Sequence, residues 1–193
     1  MGLSVAVYCG SRFGDMPAYA QAARELGGLI AQGGGSVVYG GGRVGLMGVV
    51  ADAALAAGGQ VVGVIPQALM DLEVGHTGLS ELHVVQTMHE RKQLMAERAD
   101  AFVALPGGIG TLEEIYEVWS WQQLGYHDKP VALLNVAGYY DALLDFMRVS
   151  FERGFVSTLQ YHALLVDEDP ARLLKRLAQA AARATASDDY TKI

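Results

Sequence analysis

An α/β fold in three layers, with a mostly parallel sheet of about seven strands between helices, is what this 193-residue sequence predicts. Two observations carry the prediction. Short β-branched runs alternate with longer stretches rich in alanine and leucine, the pattern of strand–helix units whose parallel sheet is covered on both faces. Glycine-bearing turns follow several of those runs, at the end of the sheet where open α/β folds bind ligands.

In chain order the strands are "SVAVYC" (4–9), "SVVYG" (36–40), "QVVGVI" (60–65), "ELHVVQ" (81–86), "AFVAL" (101–105), "PVALLN" (130–135) and "HALLVD" (162–167). Helices fill the intervals near 17–32, 45–57, 88–98, 111–124, 139–152 and 170–184. The arrangement is Rossmann-like. One interval breaks the pattern: "PQALMDLEVGHTGL" (66–79) holds a proline, two glycines and no helical period, and reads as a long mobile loop of the kind that covers sites. Residues 1–185 are expected to form a single Rossmann-like domain, with 186–193, which lack apolar periodicity, as a frayed tail.

Composition removes several function classes. About half the residues are apolar (51%), yet no stretch of eighteen runs free of charge or glycine, so a membrane span is not expected. The start, "MGLSVAVYCG", has no basic lead before its strand-like pattern, which points to the cytoplasm. A net charge of −7 without a basic run leaves no footprint for nucleic acid or an anionic membrane. Cys9 is the only cysteine, and the five histidines lack ligand spacing, so no metal is expected.

Three turns hold the chemistry-bearing residues: "CGSRFGD" after the first strand, "GGGRVGLMG" after the second and "PGGIGTLEE" after the fifth. Gly40, Gly42 and Gly45 satisfy G-x-G-x-x-G, which raises an NAD-dependent oxidoreductase. The acid that should follow about 20 residues on is missing, because that strand ends "VIPQAL". What remains is a turn whose amides can cradle phosphate, or glycines that merely permit close packing. In the third turn, Thr111 and Glu114 have the T-x-x-E spacing of a capping box. Leu112, Ile115, Tyr116 and Trp119 form an apolar helical face that sends Glu113 and Glu114 away from the core. Carboxylates beside an anion-binding turn suit a sugar, whose hydroxyls and developing anomeric charge they contact.

"TMHERKQLMAERAD" (87–100) reads as a helix with Met88, Leu94, Met95 and Ala99 facing inward. Arg91 falls between Leu94 and Met95, and Lys92 beside Met88 and Met95, off the polar face. Either long cations snorkel there, or a guanidinium is held in a cleft to meet a phosphate, a ribose or Glu114.

"YGGGRVGLMG", "TMHERK" and "LPGGIGTLEE", with "CGSRFGD" and "GYHDKPVALLNVAGYYDALL" (125–144), resemble the LONELY GUY (LOG) family of cytokinin-activating phosphoribohydrolases over most of the chain. The resemblance implies a Rossmann-like homodimer without a cofactor. Such an enzyme hydrolyses the N-glycosidic bond of cytokinin riboside 5′-monophosphates, and in many members of AMP, to free base and ribose 5-phosphate. It implies Arg91 and Glu114 as the catalytic pair, and Lys92, Gly107, Gly108, Ile109, Gly110, Thr111, Leu112 and Glu113 as nucleotide-binding. Ser11, Gly41, Gly42 and Met88 complete the candidates. Departures are small: Ile109 fills the variable position of P-G-G-x-G-T, and Arg12-Phe13-Gly14 follows "CGS" where relatives often carry another small residue. The label "lysine decarboxylase" often given to the family fits poorly, since Lys92 and Lys129 show no Schiff-base signature. The alternative is a carrier or sensor of a nucleotide or molybdenum cofactor that performs no hydrolysis. "WSWQQLGY" (119–126) and the methionines are expected in core packing before pocket or dimer interface.

Overall fold

The computed structural model describes residues 2–71, 75–185 and 188–190. Among these, the strands are β1 (Ser4–Tyr8), β2 (Ser36–Tyr39), β3 (Gln60–Pro66), β4 (Glu81–Val85), β5 (Ala101–Ala104), β6 (Val131–Leu134) and β7 (Leu165–Asp167). They pair in the order β4-β3-β2-β1-β5-β6-β7, every pair parallel. The helices are α1 (Pro17–Gln32), α2 (Gly45–Ala56), α3 (Gln67–Met70), α4 (Met88–Glu97), α5 (Ile109–Gln123), α6 (Asp141–Glu152), α7 (Thr158–Ala163) and α8 (Pro170–Ala181).

Alternation along the central strand makes the layers. Val5 and Val7 of β1 join a core with α1, α2 and α8 residues such as Leu26, Leu46 and Leu173, while Ala6 and Tyr8 join the opposite core with Met95 of α4 and Ile115 of α5. Chain direction across the sheet reverses between β1 and β5, which creates a crevice between the loops leaving those two strands.

The structure corrects four local expectations. Helix α5 begins at Ile109, with extended Gly108 as its N-cap and no side-chain cap, so Thr111 and Glu114 lie inside the helix and form no capping box. Capping boxes occur instead at Thr87 with Glu90 and at Ser157 with Gln160. The second of these starts α7, which takes the first residues of the expected strand at 162–167 and shortens β7 to Leu165–Asp167. The segment expected as a loop at 66–79 is structured on both sides of 72–74, which lie outside the described residues. Pro66 closes β3, α3 follows, Gly75 bridges to Gly42, and the His76 amide donates to the Gly41 carbonyl at 2.8 Å. In the tail, Asp188 ion-pairs with Lys129, the Asp189 amide donates to Tyr126 O, and buried Tyr190 packs edge-on against Trp121. Residues 188–190 are therefore docked, not frayed; 186–187 and 191–193 lie outside the described residues. Trp119 and Trp121 sit in the second core, so the "WSW" aromatics pack internally.

Candidate active site

Glycine turns from three segments meet at the β1–β5 crevice. Gly10 N–H donates to Pro106 O at 3.1 Å, and Gly10 O accepts from Leu46 N at the start of α2 at 2.9 Å. Gly45 has φ +58, and a Cβ there would collide with the Ser11–Arg12 backbone, so glycine is what lets the β1 turn rest on α2. A cleft of about 560 Å³ opens here, lined by Gly10 through Gly14, Tyr19, Leu46, Pro106 through Ile109, and Tyr139. The N-terminus of α5 borders it, and the first amides of a helix have no partner inside the helix. Together with the helix dipole they favour an anion such as phosphate.

A buried ion pair touches this corner through Gly40 of the second glycine turn, although neither of its residues lines the cleft. Arg91 comes from α4 and is only 8% exposed. Its Nε donates to Val64 O at 3.1 Å, and its Nη1 stands 2.9 Å from Glu114 Oε1. A Cβ on Gly40 would collide with Arg91 Nη2, so the bare backbone after β2 makes room for the guanidinium. Arg91 is thus held between β2, β3 and α5 and does not snorkel. Glu114, expected to point away from the core, is buried. Burial raises its carboxyl above the ordinary glutamate value of 4.5, and the Arg91 charge pulls it only partly back.

Lys92 makes a separate pair, with Nζ 2.6 Å from Glu113 Oε1 and 2.9 Å from Glu117 Oε2. Burial alone would lower this ammonium, but hydrogen bonds to Glu113 and Glu117 outweigh it and hold the group above its ordinary value. It stays a cation at neutral pH, the wrong state for Schiff-base chemistry. Lys129 is buried with its ammonium donating to Ala96 O.

The candidates therefore divide. Ser11, Gly107, Gly108 and Ile109 line the cleft. Thr111 is buried directly beneath the turn, where a Cβ on Gly107 would strike its Oγ1. Exposed Gly110 lies in the first turn of α5, and Leu112 packs against the second core. Gly41 and Gly42 are buried and pair with residues 75 and 76 in place of bordering the cleft. Met88 is 45% exposed and outside the inward stripe expected of it. Tyr19, Tyr139, Leu46 and Pro106 are cleft residues that were not among the candidates. Tyr139 had a usable signal: "GYY" follows a strand, so it falls at the ligand end of the sheet.

Compared with known proteins, residues 47–177 match the family model described as "Possible lysine decarboxylase". The chain is 45% identical over 173 residues to the cytokinin riboside 5′-monophosphate phosphoribohydrolase LOG1 of Arabidopsis thaliana, covering 90% of this chain and 81% of that one. It is 49% identical over 167 residues to the enzyme of that activity from Rhodococcoides fascians, covering 86% and 84%. Among solved structures, the molybdenum-cofactor carrier protein of Chlamydomonas reinhardtii superposes with a TM-score of 0.72 over 95% of this chain and 99% of that one, at 23% identity. That likeness is one of fold. No helix among the described residues is long and apolar enough to cross a membrane.

Proposed function

Because the chain belongs to the LONELY GUY family of cytokinin riboside 5′-monophosphate phosphoribohydrolases, we infer that its hydrolysis of the nucleotide N-glycosidic bond takes place where the Arg91–Glu114 pair meets the glycine crevice. The buried pair itself is the observation that supports this placement, since desolvating two charges costs stability and carboxyls perturbed by burial beside a charge partner concentrate at functional sites.

The 5′-phosphate would sit on the amides at the start of α5, and the ribose would extend toward Glu114. As the C1′–N9 bond lengthens, its electron pair moves to the base and positive charge grows on the sugar. The ionised Glu114 stabilises that charge, a water oxygen bonds to C1′ as one of its O–H bonds breaks, and the proton so released neutralises the departing base. Arg91 keeps Glu114 ionised and aimed. Lys92 contributes its charge at the edge of the site while bound to Glu113 and Glu117. AMP is a second substrate on this reading, because a prenyl group lost from the base removes only apolar contacts. A phosphate-anchored site predicts that isopentenyladenosine 5′-monophosphate is cleaved and isopentenyladenosine is not. Chromatography of the released base tests this, and equal cleavage of the two would contradict it.

The raised Glu114 carboxyl sets the pH dependence. Activity needs the ionised form, present above the folded-state pKa and lost as pH falls through it. The acid limb of kcat/KM should therefore lie above the ordinary value of 4.5 and vanish in Glu114→Gln. A limb at or below that value would remove Glu114 from the role.

The protein acts as a homodimer in the cytoplasm on this reading. Phe146, Phe155 and Leu159, on and between α6 and α7, are 63%, 87% and 82% exposed, an apolar surface of the kind that subunits bury. Light scattering on the eluted protein should give twice the 20.6 kDa of one chain, and a monomer at micromolar concentration would contradict it.

A further inference from the structure

The turn that carries the cleft amides is held from outside by tyrosines of a remote segment. Three successive carbonyls of the β5–α5 turn each accept a hydrogen bond from elsewhere in the chain: Leu105 O from Tyr140 Oη at 2.6 Å, Pro106 O from Gly10 N at 3.1 Å, and Gly107 O from Tyr139 Oη at 2.6 Å. A carbonyl facing a phosphate would repel it, so engaging these oxygens leaves the amide side of the turn to face the ligand.

The two neighbouring tyrosines are not equivalent. Tyr140 is 1% exposed and its bond is buried, which is the position of a structural peg. Tyr139 is 42% exposed, lines the cleft, and stands edge-on to Tyr19 with ring centroids 5.7 Å apart. An exposed hydrogen bond contributes little to stability, and the backbone just before the two tyrosines is strained. Ala137 adopts a left-handed conformation (φ 51, ψ 33) and Gly138 has φ +73, reversing the chain directly after β6. Asn135 braces the reversal, accepting from Tyr140 N and donating to Asp141 Oδ1, both at 2.7 Å.

We propose that Tyr139 is a positioning residue for the substrate phosphate: its hydroxyl clamps the Gly107 carbonyl and so holds the Gly107–Ile109 amides toward the cleft. This rests on the reading of the crevice as the phosphate site. Tyr139→Phe removes the hydroxyl and keeps the ring. It should weaken calorimetric binding of ribose 5-phosphate roughly 3- to 10-fold, the range of one lost hydrogen bond. KM for the nucleotide should rise by a similar factor, with kcat within about twofold and the melting temperature unchanged. Tyr140→Phe should instead lower the melting temperature, because it strands a buried carbonyl.

Ribose 5-phosphate affinity and KM at wild-type values in Tyr139→Phe would overturn the proposal, as would a weakening that appears only together with a lower melting temperature. Failure of the underlying reading has a different signature. The wild-type protein would then bind ribose 5-phosphate no better than ribose, and the Tyr139 variant could not change that.

Discussion

Replacing Glu114 by glutamine is expected to lower kcat by roughly 10²- to 10³-fold, equivalent to about 3 to 4 kcal/mol of lost transition-state stabilisation. Glutamine keeps the length of the side chain and an oxygen that can still accept from Arg91 Nη1, now 2.9 Å from the carboxylate. Packing around the site should therefore survive, and circular dichroism should match wild type. What disappears is the negative charge, which matters only once positive charge has grown on the ribose. The ground state has little use for it, so nucleotide affinity should change by no more than a few fold. A fall in affinity as large as the fall in kcat would show instead that Glu114 holds the substrate.

Arg91→Ala is expected to be comparably damaging, through Glu114. The guanidinium is what draws the Glu114 carboxyl back toward the ordinary range against the effect of burial. Without it the carboxyl rises further, and at neutral pH a larger share of the enzyme carries a protonated, inactive glutamic acid. The sign is definite: the acid limb of the rate profile moves to higher pH, and part of the lost activity, roughly 10²-fold at pH 7, returns as pH is raised. Loss of the bond to Val64 O and of the ion pair also removes buried contacts, so a lower melting temperature accompanies the kinetic effect. A rate deficit that is the same at every pH would contradict the coupling between the two residues.

Much of the sheet was legible because its signal is local. The continuous runs at 36–40, 60–65 and 101–105 became β2, β3 and β5 with shifts of one residue at their ends. The helical wheel misplaced Glu114 for a physical reason: it sorts residues by polarity, whereas a carboxylate can be buried when a cation from another helix meets it. Arg91 is that cation, and nothing in the α5 sequence announces a partner in α4. Spacing alone left the glutamates undivided; the folded chain pairs Glu114 with Arg91 and Glu113 with Lys92. The tail followed the same logic. Its composition looks unstructured, but Tyr190 finds Trp121 and Asp188 finds Lys129 across the fold. Cleft residue Tyr19 was hidden likewise, since it lies inside α1 and only the fold brings that helix beside the turn after β5.

The most direct test measures chemistry and binding on the same samples. Wild-type and Glu114→Gln proteins are each saturated with isopentenyladenosine 5′-monophosphate, nucleotide affinity is read by calorimetry, and free base and ribose 5-phosphate are quantified by chromatography. Wild type should release the two products in equal amounts, while the variant binds within a few fold as tightly and releases base roughly 10²- to 10³-fold more slowly. Release by the variant at the wild-type rate would contradict the placement of the reaction at the Arg91–Glu114 pair.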